Sequence, residues 1–191
     1  MIAGVSAAWA VDLVPGRRDW RTAPASASWY ARAGNGLTLA CALVAAAPDL
    51  DLVVRWHRAI THSLGAVLFV ALFAAALAVN ARRPVARVTA MCAGAYATHL
   101  LLDWLSVDTF PPYGIQALWP FDNGWYISGY DIFLQTQRYS ITSTPSMRQN
   151  AVAIAREIAI LLPIAIVLWL VRVKTLARLP AEISRRDHAP Q

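Results

Sequence analysis

Residues 63–79, Ser-Leu-Gly-Ala-Val-Leu-Phe-Val-Ala-Leu-Phe-Ala-Ala-Ala-Leu-Ala-Val, contain no charged side chain and no proline. A helix of this sequence is apolar on every face, so it needs an apolar surrounding on every face. Its length reaches the lower limit for crossing the hydrocarbon of a bilayer. Three further apolar runs lie at 34–48, at about 88–105 and at about 151–171. With 58% hydrophobic and 15% charged residues in a chain of 191, the composition suits a small membrane protein better than a soluble domain. The expected fold class is all-α: an integral membrane helical bundle with about four transmembrane helices and a long external loop.

The remaining segments connect these runs. Residues 1–14 are apolar apart from Asp12 but lack the basic start of a secretory signal, and are read as a helix lying at the interface. Residues 15–28 are rich in Pro, Ala and Ser and read as a linker. Residues 1–33 are therefore assigned to an N-terminal extension, 34–175 to the membrane domain and 176–191 to a basic tail. The polar stretch 106–150 carries prolines, glycines and the aromatics Trp119, Phe121, Trp125, Tyr126, Tyr130 and Tyr139, which reads as a loop at the headgroup level. Within it Trp119, Pro120 and Phe121 are read as belt and turn, and Asp108, Asp122 and Asp131 as solvated carboxylates. Cys41 and Cys92 fall inside apolar runs and read as small core residues.

The net charge of +6 does not point to nucleic acid, because the arginines flank apolar runs and form no basic stripe among aromatics. They set orientation instead. Arg82, Arg83 and Arg87 between spans, and Arg172, Lys174, Arg178, Arg185 and Arg186 after the last, belong in the cytoplasm. Four spans then put both termini there, with Arg17, Arg18 and Arg21. The opposite, external face receives the loop 49–62, the end of the third span and the aromatic loop.

Those external segments carry the chemistry. Asp49, Asp51, His57 and His62 fall within fourteen residues, and His99 and Asp103 stand four apart in an apolar helix, on one face and about 6 Å apart. Carboxylate oxygen with imidazole nitrogen is a ligand set for a divalent catalytic metal, zinc or manganese before calcium or magnesium. Six candidate ligands suffice for two metals and more easily for one. Some would instead orient a liganding imidazole. The bland counterparts are a helix-capping Asp pair, interfacial loop histidines and a His99–Asp103 hydrogen bond that fixes packing. Arg58 is a candidate clamp for phosphate or carboxylate, or the partner of an Asp.

Pro-Asp-Leu-Asp (48–51), His-Arg-Ala-Ile-Thr-His-Ser (57–63), Thr-His-Leu-Leu-Leu-Asp (98–103) and Leu-Trp-Pro-Phe (118–121) occur in that order. This set resembles the YdjM-type family of inner-membrane-associated, metal-dependent hydrolases, over roughly residues 34–121. The resemblance implies a small multi-helix protein of the bacterial inner membrane with a metal-dependent hydrolase site. The family often has a further His in its first helix. Residues 33–38 read Ala-Gly-Asn-Gly-Leu-Thr here, with Asn35 in that region.

The expected function is hydrolysis of an ester or phosphoester at the membrane surface, with lipid as the first molecule such a site meets. Asp51 and His62 are the expected catalytic residues, with a non-liganding member of the Asp set as general base. A metal-binding scaffold or a divalent-ion transporter is the competing class. A transport path calls for ionisable groups throughout the membrane depth, whereas these cluster at one end.

Overall fold

A computed structural model describes residues 1–13, 36–54, 58–138 and 140–187, with the side chains of 53, 54 and 176–187 left aside. Their order is α1 (Ile2–Asp12), α2 (Gly36–Val44), a 3-10 segment (Ala47–Val54), a 3-10 turn (Ile60–His62), α3 (Leu64–Asn80), α4 (Val85–Trp104) and α5 (Thr144–Asp187). No strand occurs among the described residues, and two isolated bridges, Ser106 with Phe133 and Ile115 with Tyr126, tie the long connection 105–143.

Small side chains set how closely the helices approach. Ala8 of α1, Cys41 and Ala45 beside α2, Ala74 of α3, and Met91, Cys92 and Ala95 of α4 form one buried cluster. A Cβ on Gly4 would stand 2.4 Å from that of Ala45 and 2.8 Å from the Cys41 carbonyl oxygen, so glycine is required where α1 meets α2. Both cysteines are buried and unbridged, as expected of core residues. The first helix packs on the bundle through Ala3, Gly4, Ser6 and Ala8, which are buried, while Ala10 is exposed.

Of the expected spans, two helices among the described residues are long and apolar enough to cross a membrane: α4, and residues 144–175 of α5. The described part of α2 ends at Val44. Pro48 and the 3-10 segment stop it. The seventeen residues of α3 stand at the lower limit of span length. The final helix starts at Thr144, earlier than expected, because Ser143 caps it through its contact with the Ser146 N–H and Pro145 occupies the first turn, where no donor is needed.

Outward apolar rows agree with a membrane setting. Leu68, Phe69, Leu72, Phe73 and Leu77 on α3 are each more than half exposed, and α5 presents Val152, Ile164 and Val167 likewise. In contrast Asp12, Arg87 and Arg172 are buried together. Arg87 donates to Asp12 Oδ1 through Nε at 3.0 Å and lies 2.9 Å away through Nη2, and Arg172 Nε donates to Asp12 Oδ2 at 2.9 Å. Two arginines expected at the cytoplasmic surface thus join α1, α4 and α5 inside the bundle, because the one carboxylate of α1 gives them a partner there.

Candidate metal centre

The far end of α4 gathers the candidate ligands. Thr61 and His62 sit on the short 3-10 turn, which Tyr96 holds by donating its hydroxyl to the Thr61 carbonyl at 2.6 Å. Ser63, fully buried, caps α3 by accepting from the Ala66 N–H at 3.1 Å. The next two N–H groups, of Leu64 and Gly65, donate to the carbonyls of Ala117 and Trp119 at 2.9 and 3.1 Å. A Cβ on Gly65 would meet the Trp119 oxygen at 2.7 Å. The Leu-Trp-Pro-Phe segment is therefore a backbone clamp on the helix that follows His62, and not merely belt and turn.

Asp49, His62 and His99 each offer one ligand atom, all within 4.8 Å of one another. The rings of His62 and His99 meet edge to face with centroids 5.1 Å apart. Asp103 Oδ2 is 3.2 Å from His62 Nε2 and 3.7 Å from His99 Nε2, and Asp49 Oδ1 is 3.4 Å from His99 Nε2.

The hydrogen bonds fix which nitrogen is available. His99 Nδ1 lies 2.9 Å from the Ala45 carbonyl oxygen, which can only accept, so Nδ1 carries the hydrogen. Nε2 of the neutral ring then turns its lone pair towards two carboxylates. His62 follows the same plan, with Nδ1 3.2 Å from Asp51 Oδ2 and Nε2 towards Asp103. His99 Nε2 and Asp103 Oδ2 are buried and make no hydrogen bond of good geometry. Lone pairs converging on carboxylates repel unless a proton or a cation stands between them. The donor set fits a divalent metal on that ground. Burial alone would lower the His62 pKa, but the carboxylates of Asp103 and Asp51 beside its ring outweigh burial and push it up to about 9. In the absence of a cation, a proton answers the same electrostatic demand.

Asp51 does not stand with the other three. It is buried behind His62, where its Oδ2 accepts from the Thr61 hydroxyl at 2.5 Å and the Arg58 N–H at 3.2 Å. Its geometry is that of a carboxylate orienting an imidazole. Arg58 adopts φ 66°, a left-handed conformation disfavoured for a side-chain-bearing residue. That turn aims its N–H at Asp51 and its guanidinium between Asp103, 3.8 Å away, and Asp108, 2.6 Å away. Of the two roles open to Arg58, partner of an Asp is the one seen. His57 lies outside the described residues, as does Asn35.

Asp108 was missed. Expected as a solvated loop carboxylate, its side chain is 1% exposed and accepts from Gly114 N–H at 2.8 Å and from Gln135 Nε2 at 3.0 Å. No periodicity or motif marks it, since its partners come from the loop's own tertiary closure. Asp122 does match the expectation of an exposed loop carboxylate, held below the usual range by hydrogen bonds from Tyr126 and the Gly124 N–H.

A cavity of about 290 Å³ opens beside the cluster, bordered by Asp49, Arg58, His99, Asp103 and, from α5, Glu157. His62 itself is fully buried, so an incoming group meets Asp49, His99 and Asp103 first.

The family model described as YdjM inner membrane protein matches residues 3–179. That range takes in α1 and α5, both beyond the motifs of the sequence. No curated protein and no solved structure matches the chain.

Proposed function

The chain belongs to the YdjM inner membrane protein family, and on that premise we propose that it is a metal-dependent hydrolase acting on an ester or phosphoester at the membrane surface. One observation carries this reading: imidazole lone pairs and carboxylates of His62, His99, Asp49 and Asp103 converge beside a polar cavity. Asp49, His62 and His99 would hold the ion, with Asp103 adjacent to both imidazoles. Two nitrogens with carboxylate oxygen suit zinc or manganese. Bound there, the metal polarises a substrate oxygen and lowers the pKa of water from ~16 towards ~7.

The chain's own groups do the rest. Asp51 keeps the hydrogen of His62 on Nδ1, so that Nε2 stays a donor of electrons. Arg58 tethers Asp103 to the loop through Asp108. Glu157, on a cavity wall supplied by a different helix, accepts the proton of the attacking water. This assigns the general base to Glu157 and not to a member of the Asp set; Asp51 has its Oδ2 committed to Thr61, Arg58 and His62.

Orientation needs only two spans. The cluster lies at the end of α4 and near the start of α5, while Arg82, Arg83, Arg87, Arg172 and Lys174 lie at the opposite ends. Basic residues at the cytoplasmic ends support a site on the external face of the inner membrane, where lipid is within reach. Divalent-ion transport is disfavoured by the same geometry, because two buried arginines against one carboxylate stand at the other end of the helices and repel a cation.

Elemental analysis of detergent-purified protein tests the reading, with wild type beside His62→Ala and His99→Ala. Stoichiometric zinc or manganese in the wild type, lost in both variants, is the expected result, followed by turnover of a lipid phosphoester or acyl ester. A wild type that takes up neither ion after reconstitution removes the basis of the reading.

A further inference from the structure

A second cavity, about 600 Å³, lies against the start of α5. Its wall is apolar in character, with Val107, Leu134, Pro145 and Val152 around it and Arg148 at its border. It shares Leu134 and Gln135 with the polar cavity of the metal centre, and the residues next in sequence, Ser106 and Ala153, border that polar cavity. The two chambers therefore stand on opposite sides of one partition.

That partition is rigidly held. Gln135 is buried, accepts from the Thr109 N–H at 3.1 Å and hydroxyl at 2.6 Å, and donates to Asp108, which pairs with Arg58 of the polar chamber. One hydrogen-bonded chain thus runs from the wall of the apolar chamber to the metal centre. A satisfied buried network of this kind fixes the relative position of what lies on either side.

From this juxtaposition we propose that the apolar chamber receives an acyl chain of a lipid whose ester or phosphoester head lies in the polar chamber. The inference rests on the hydrolase reading for the role of the polar chamber, and names its substrate class as a membrane amphiphile. A water-soluble ester has no use for the apolar chamber. A lipid has both parts in the required order, and Val152 and Ile154 on α5 face outward beside the chamber, where tails are available. Arg148 at the border suits an anionic headgroup or the interface itself.

The test uses the full chain in phosphatidylcholine nanodiscs containing a phosphatidic acid with a photoreactive diazirine midway along one acyl chain. After irradiation, labelled positions are mapped by mass spectrometry in wild type, in Val152→Trp and in Leu72→Trp, a bulky change on the outward face of α3. Labelling concentrated on residues 107–109, 134–135 and 145–152 is expected, reduced about tenfold in Val152→Trp, the effect of excluding roughly two methylenes, and unchanged in Leu72→Trp. Labelling spread over the outward faces of α3 and α5, or chamber labelling that survives Val152→Trp, overturns the proposal. Metal content measured on the same samples separates the two readings. Bound metal with no chamber labelling defeats the acyl-chain site alone, whereas chamber labelling in a protein that takes up no metal supports that site and defeats the hydrolase reading.

Discussion

The two ends of α4 each carry buried ionisable groups, and they are built on opposite plans. Arg87 at one end meets Asp12 and Arg172, so each carboxylate oxygen faces a guanidinium donor. His99, twelve residues and about 18 Å further along, meets Asp49 and Asp103, so an acceptor nitrogen faces acceptor oxygens. The first cluster is closed by the protein itself. The second leaves imidazole nitrogens facing carboxylates, with Arg58 reaching Asp103 from 3.8 Å, an arrangement that a proton or a cation relieves. Burial of charge alone therefore does not mark a site; the sign and direction of the groups do.

The strongest way to break this contrast is to remove the centre of the closed cluster. Asp12→Ala leaves two buried arginines without their carboxylate, and should cost about 3–5 kcal/mol of stability, measured by thermal unfolding in detergent. Metal content per folded molecule should stay unchanged. A comparable loss of metal would mean that the two ends are coupled.

At the open end, His99→Ala should lower metal affinity more than a hundredfold, beyond the 10–100-fold typical of an orienting residue, read by competition with a chelator. Thermal stability of the metal-free protein should change far less than in Asp12→Ala. Asp51→Asn should fall in the orienting range, about 10–100-fold, because the His62 hydrogen loses its charged acceptor while both nitrogens remain. An effect equal to that of His99→Ala would make Asp51 a ligand.

Proton and metal compete for His62, which gives a pH test. Its folded pKa, about 9, exceeds the ordinary 6.5, so the protonated ring stabilises the metal-free protein fully below pH 6.5 and that contribution is lost as pH rises through 9. Metal requires the neutral ring. Affinity should therefore rise at least tenfold per pH unit up to about 9, with at least one proton released on binding, since the His99 pKa is raised as well by Asp49 and Asp103. Titration calorimetry in buffers of differing ionisation enthalpy measures that proton. The smallest effect is expected from Ser63→Ala, about 1 kcal/mol from the lost cap of α3, with metal content retained.

Several residues were legible because short-range rules expose them. His99 and Asp103 share a helical face by spacing alone, and Asp49 and His62 flank apolar runs where charge is rare. Asp108 and Gln135 were not legible, since a buried pairing made by an irregular loop leaves no periodic trace. Asp12 was visible as an isolated charge in an apolar segment, yet its partners lie 75 and 160 positions away.

Composition and the uncharged run at 63–79 determined by themselves that this chain is helical and apolar outside, because an apolar helix with no polar face has no stable alternative in water. The motifs determined which residue types meet. Tertiary structure decided where α2 stops, at the 3-10 segment that carries Pro48, and which residues of α1 are buried against the bundle. It also decided the division of labour among the carboxylates. Asp49 and Asp51 are two residues apart and chemically alike, but Asp51 lies behind His62 within reach of Nδ1 and Asp49 opens on the cavity, because only the folded turn at Arg58 brings Thr61 and His62 back over the 3-10 segment.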